Sequence, residues 1–153
     1  MIQRIQSVYL FLVTVIMILP LCVPIARMIV PDASTYEFYS YGVVQTGEQA
    51  EVQAYYWGLF CLNGIAIVMP FAAIFLYKRR LLQMRLSLIE IFLCLGITAL
   101  MWYHINYFSK EMEIDVLYRF SFILPVVCSI LSYLATRGII KDINLLKSYD
   151  RIR

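Results

Sequence analysis

The sequence predicts an all-α membrane protein: a bundle of four transmembrane helices with both termini cytoplasmic, a short aromatic outer loop with room for a small hairpin, and a cytoplasmic amphipathic C-terminal helix. Three observations carry this expectation. Of 153 residues, 62% are hydrophobic and only 15% charged, with a mean hydropathy of +0.76, whereas soluble domains are about half apolar and about a quarter charged. Four apolar runs are long enough to cross about 30 Å of hydrocarbon as helices. Lys and Arg gather on alternate links between those runs, the asymmetry that sets orientation in a bilayer.

The spans fall at about 5–28, 54–77, 86–108 and 119–137, with an outer loop 29–53 and a tail 138–153. Little chain remains for a separate soluble domain, so residues 1–153 read as one domain. The first span follows Arg4, as a signal peptide's core would. Its uncharged run, Ile5 to Ala26, is longer than such a core and closes without an A-x-A site, so it is expected to stay as an uncleaved helix. The second opens on Tyr55, Tyr56 and Trp57, aromatics suited to the headgroup level, and closes at Lys78, Arg79 and Arg80. Glu90 and His104 interrupt the third, and the fourth is confined between Arg119 and Arg137, near the short limit for a span. Pro20, Pro24, Pro70 and Pro125 lie in apolar runs, where each is expected to kink its helix.

Orientation follows from the basic residues. Arg4, Lys78, Arg79, Arg80, Arg85, Arg137, Lys141, Lys147, Arg151 and Arg153 flank one side, against Arg27, Lys110 and Arg119 on the other. This places both termini and the middle loop in the cytoplasm. Crowded onto one face of a narrow bundle, Arg4, Lys78, Arg79, Arg80, Arg85, Arg137, Lys141, Arg151 and Arg153 are expected to form one basic surface against anionic headgroups. In the tail, Ile139, Ile140, Ile143, Leu146 and Tyr149 recur at helical spacing opposite Lys141, Asp142, Lys147 and Asp150. Such a helix suits the inner headgroups or the underside of the bundle. On the outer side, the β-branched and aromatic stretch from Ser34 to Tyr41 reads as a strand or hairpin capping the bundle, or as a docking surface built of Tyr36, Phe38, Tyr39 and Tyr41.

Few residues carry chemistry. An ionisable group inside a span is a functional candidate because charge in hydrocarbon is costly, which singles out Glu90 and His104, with Asn63 as a further polar group at depth. Glu90 lies close enough to the basic side to pair with Arg85, Arg4 or Arg137, and its other reading is a proton- or cation-coupling carboxylate. His104 stands among Trp102, Tyr103 and Tyr107, which suits an interfacial hydrogen bond. Cys22, Cys61, Cys94 and Cys128 form no CxxC or Cys/His pair and read as buried small hydrophobes, with a Cys22–Cys61 disulfide as the alternative. There is no HExxH, no GxSxG and no phosphate-cradling Gly-rich loop, and the single His cannot supply paired axial ligands to a haem. The pattern therefore points away from an enzyme, a resident cofactor or metal, and nucleic acid. It points toward the bilayer and another integral membrane protein, or self-association, as partners.

Three segments carry a resemblance: Met1 to Leu10, Leu76 to Arg85, and Arg137 to Asp142 running on to Ser148–Arg153. They are similar to an uncharacterised family of four-pass inner-membrane proteins of the Bacteroidota, some of whose members bear the label transcription termination factor Rho. The resemblance implies a bacterial inner-membrane location and no activity. An RNA-dependent ATPase would need a phosphate-binding loop and a soluble domain, and neither is present. The functional expectation is a small non-enzymatic accessory or scaffold subunit, with a homo-oligomeric transporter or channel using Glu90 as the alternative.

Overall fold

In the computed structural model, which describes residues 2–29, 35–46, 52–77, 79–112 and 114–150, four helices stand beneath a five-stranded sheet. The helices are α1 (Ile2–Cys22), α2 (Trp57–Phe75), α3 (Arg80–Met112) and α4 (Leu124–Asp150), and the last follows a 3-10 turn at Phe120–Ile123. All four are long and apolar enough to cross a membrane. At about 1.5 Å per residue α3 reaches about 50 Å, well beyond the apolar run that announces it. The strands are β1 (Ala26–Ile29), β2 (Thr35–Tyr39), β3 (Gly42–Thr46), β4 (Val52–Tyr55) and β5 (Asp115–Tyr118), in the order β4-β3-β2-β1-β5, all pairs antiparallel.

This sheet corrects the all-α expectation. The outer loop and possible hairpin are part of a larger structure, which takes β1 from the end of the expected first span and β5 from the link between the third and fourth. Its strands are only four or five residues long, too short to show a period of two beside long apolar runs. The pairing of Arg27 with Leu117 is also remote in sequence.

Alternation then sorts the side chains. Ala26, Phe38 and Val43 are cross-strand neighbours, all fully buried, and with Met28 they join Met101, Ile105 and Phe108 of α3 in one core. Tyr36 packs its ring edge-on to Phe108 at 5.8 Å. Arg27 and Glu37, also cross-strand partners, are an ion pair at 2.8 Å.

The prolines fall differently from the expectation. Pro20 lies inside α1 and Pro70 inside α2, but Pro24 lies beyond the end of α1 and Pro125 in the first turn of α4, where a missing N–H costs nothing. A hydrogen on the residue-24 nitrogen would normally satisfy the Pro20 carbonyl. The Ser40 amide does so instead, at 3.2 Å.

Chain connectivity puts the sheet at one end of the bundle. The start of α1, the α2–α3 link and the end of α4 lie at the other, called here the basic end. Along the helices only 28% to 39% of each apolar window is buried. Phe92 is 73% exposed, Phe75 66% and Val68 63%. The register of β3 against β4 turns on Gly42, where a Cβ would run into the Ala54 carbonyl oxygen beside the irregularity at Val43/Val44. Gly42→Ala should therefore push β4 off the sheet and destabilise the fold by about 1–3 kcal/mol, read as a lowered thermal midpoint by circular dichroism in detergent.

Candidate functional site

Spacings of three and four residues define the buried stripe of α3: Gln83, Ser87, Glu90, Cys94, Ile97, Met101, Ile105 and Phe108. Its half toward the basic end is polar and its half toward the sheet is apolar. α4 matches it with Cys128, Ser129, Ser132, Ala135, Thr136, Ile139 and Asp142, and α1 contributes Gln6, Leu10, Val13 and Thr14. The three helices thus enclose a seam that is rich in polar side chains over the half nearer the basic end.

At the basic end the seam is tied. Gln6 Nε2 donates to Asp142 Oδ2 at 3.0 Å, and Arg80 Nη1 lies 3.8 Å from the same oxygen. Gly138 makes room for this, since a Cβ there would sit 3.0 Å from Gln6 Cγ. Asp142 is buried, so the amphipathic reading of the tail holds only for its other face, where Ile140, Lys141, Asn144 and Leu145 are exposed.

Deeper in, Glu90 is fully buried and accepts a hydrogen bond from Cys94 Sγ at 3.3 Å through Oε1. Its Oε2 and the Oγ of fully buried Ser132 have no partner among the described residues. Cys128 lies within electrostatic reach of Glu90 and shares its Sγ with the Val13 carbonyl at 3.9 Å. The expected ion pair is absent among the described residues: Arg85 and Arg137 are exposed on other faces, and the Arg4 side chain lies outside the described residues.

The remaining candidates are dispersed. Arg79 and Lys141 are exposed and Arg80 is partly buried against Asp142; Lys78, Arg151 and Arg153 lie outside the described residues. His104 packs against Tyr56 with the rings tilted by 39° and their centres 4.3 Å apart, and makes no hydrogen bond among the described residues. Phe38 is fully buried and packs on Tyr56, which removes it from any docking surface, while Tyr39 and Tyr41 stack at 5.2 Å. Asn63 is fully buried and donates through Nδ2 to Ser40 Oγ at 2.9 Å, leaving Oδ1 without a partner among the described residues. Cys22 and Cys61 are free thiols and exposed. Among the described residues no group of three or more His, Cys, Asp or Glu is placed to hold a metal ion.

Sequence reasoning passed over Ser40, Ser132 and the outer cluster around Glu37, which give these groups their setting. A family model described as Domain of unknown function (DUF4293) matches residues 2–152. The chain belongs to this family. No match is found among curated proteins. Gln6, Arg80 and Asp142, one residue from each segment of the sequence resemblance, come together at the basic end.

On the sheet, Glu37 Oε1 accepts from Arg27 Nε and Nη2, Arg119 Nη2 lies 3.8 Å away, and Tyr39 donates to Oε2 at 3.0 Å. Burial pushes the carboxyl upward, but the bonds from Arg27 and Tyr39 and the charges of Arg27 and Arg119 outweigh it and leave Glu37 below the ordinary carboxylate range. Burial, then the bond to Glu37 and its charge, push Tyr39 up to about 12. A lowered carboxyl stabilises the fold fully above its unfolded pKa, and that contribution is lost as pH falls through the folded value. Thermal midpoints in detergent should hold at neutral pH and drop under acid. Glu37→Gln, costing about 1 kcal/mol because Arg27 is half exposed, should flatten that acid drop.

Proposed function

We propose that this chain is an integral protein of a bacterial inner membrane of the Bacteroidota type, with both termini cytoplasmic, that serves as a non-enzymatic accessory or scaffold subunit of a membrane complex. The observation that carries the reading is the apolar surface left uncovered on all four helices, from Ile5, Val8 and Phe11 on α1 to Phe92 and Leu95 on α3 and Ile130 and Tyr133 on α4. A belt of that extent far exceeds what a soluble monomer leaves in water, and it suits lipid and neighbouring helices. Orientation rests on Arg79, Arg80, Arg85, Arg137 and Lys141 at the basic end.

Purification from the native host in mild detergent should bring down a defined membrane partner in fixed ratio; a chain that stays alone through several detergents refutes the accessory role. Single cysteines in a Cys-free background at Glu48 and at Arg79, which is exposed at the basic end, should separate the two faces. An impermeant thiol reagent applied to spheroplasts should modify the first and spare the second, and the reverse pattern would invert the orientation.

A further inference from the structure

We propose that the exposed face of α4 at the basic end binds an anionic phospholipid, with its phosphate at Arg137 and Lys141 and its acyl chains along Leu134, Tyr133 and Ile130. The inference rests on the membrane reading above and is independent of which face is cytoplasmic. It starts from a groove of about 520 Å³ lined, among the described residues, by Arg137, Ile140, Lys141, Asn144 and Leu145. That volume lies within the range of about 300–1,000 Å³ typical of small-ligand sites. The lining combines two cations and an amide with two branched apolar side chains, Ile140 at 40% and Leu145 at 45% exposure. Such a combination suits an amphiphile better than a free ion.

Helical spacing brings the cations together. Arg137 and Lys141 are four residues apart, hence about 6 Å along the axis and on one side of the helix. Both are exposed, and among the described residues neither has an acidic partner: the ion pairs there are Arg27–Glu37, Arg119–Glu37 and Arg80–Asp142. Asp142 is the nearest acid in sequence, but it is buried on the opposite side of α4, where Gln6 and Arg80 hold it. That side is also fixed by fully buried Ile139 and by Gly138 against the Gln6 side chain. The backbone under the two cations is therefore packed in place, so an anion that binds there orders side chains and not the helix.

The depth is that of a lipid headgroup. Toward the sheet the same side of α4 continues through Leu134, Tyr133 and Ile130, at 39%, 57% and 56% exposure. Ile130 precedes Arg137 by about two turns, or about 10 Å, and the chain from Phe120 to Thr136 carries no Asp, Glu, Lys or Arg. Half of a hydrocarbon layer of about 30 Å is about 15 Å, so this strip covers most of one leaflet and Arg137 stands at its edge. A zwitterionic lipid would bring its own cation against Arg137 and Lys141, and a soluble phosphate ester would leave Ile140 and Leu145 uncovered. An anionic phospholipid satisfies both halves of the face. Arg79 and Arg85, the other exposed basic residues at this end among the described residues, do not line the groove.

Native mass spectrometry of the full chain in detergent, titrated with phosphatidylglycerol or with phosphatidylcholine of matched chains, tests the site. The wild type should prefer the anionic lipid by about 25-fold, each cation contributing the roughly fivefold of a Lys or Arg near an anionic surface. Arg137→Gln/Lys141→Gln should lose that preference, whereas Arg79→Gln/Arg85→Gln, which removes the same charge from the same end, should keep it. Circular dichroism checks that each variant folds. A phosphatidylglycerol with a photoreactive diazirine at the glycerol level locates the site in the wild type without any substitution, and its cross-links should map within residues 130–145. Glycerophosphoglycerol, the same headgroup without chains, should fail to displace the lipid. Equal affinity for the two lipids, equal loss in both double variants, cross-links elsewhere, or displacement by the free headgroup overturns the site. Flotation with liposomes reports insertion separately: a chain that does not insert refutes the membrane reading and the site with it, and one that inserts without the preference refutes the site alone.

Discussion

The Ser40–Tyr41 turn joins the two layers of this molecule, because its tip is buried where hairpin tips are ordinarily solvated. Ser40 is fully buried, gives its N–H to the Pro20 carbonyl and accepts from the Asn63 amide. Pro24 creates the need: its ring nitrogen cannot satisfy that carbonyl, and a free backbone acceptor in a water-poor setting costs several kcal/mol. The helix therefore ends in a defined way, and the β2–β3 hairpin is pinned to α1 and α2 at once. Register follows from that pin. Phe38, two residues before Ser40, faces the core, so Glu37 must face away, and Arg27 meets it across the strand pair.

The basic end solves the same problem with side chains. Four helix ends lie there with no strand to cover them among the described residues, and Gln6 and Arg80 converge on the Asp142 carboxylate. The family-like segments look separate along the chain because each supplies one member of this tie. Gly138 belongs to the same arrangement through absence of bulk, since its surface is where the Gln6 side chain lies.

Much of this was legible in the sequence, and what was hidden has a common cause. Apolar runs announced all four helices, because a run of about twenty uncharged residues fits little besides a membrane-crossing helix. They did not announce where helices stop. Ala26 and Met28 extend the apolar run of α1, yet they belong to β1, since buried strands and buried helices draw on the same residue types. Glu90 was conspicuous as the acid of the third span, but its setting depends on Cys94, Cys128 and Ser132, which no spacing rule marks. Asp142 looked like the solvated face of a tail because its partner lies 136 positions away.

The buried stripe of α3 changes character at Cys94, and that change explains why the two ends of the protein are built so differently. Toward the sheet, Ile97, Met101, Ile105 and Phe108 pack without needing partners. Dispersion and shape suffice there, and the sheet can rest Met28, Tyr36 and Phe38 on them. Toward the basic end, Gln83, Ser87 and Glu90 each bring polar atoms that must find donors or acceptors. Ser87 turns to its own helix and donates to the Gln83 carbonyl at 3.0 Å, and Glu90 takes the Cys94 thiol. Cores of this polarity gain less from packing than apolar ones and are kept in place by closure at their margins. The Gln6–Asp142–Arg80 tie supplies that closure, so the polar stretch of α3 and the tie below it form one unit, with the apolar layer and the sheet as its lid.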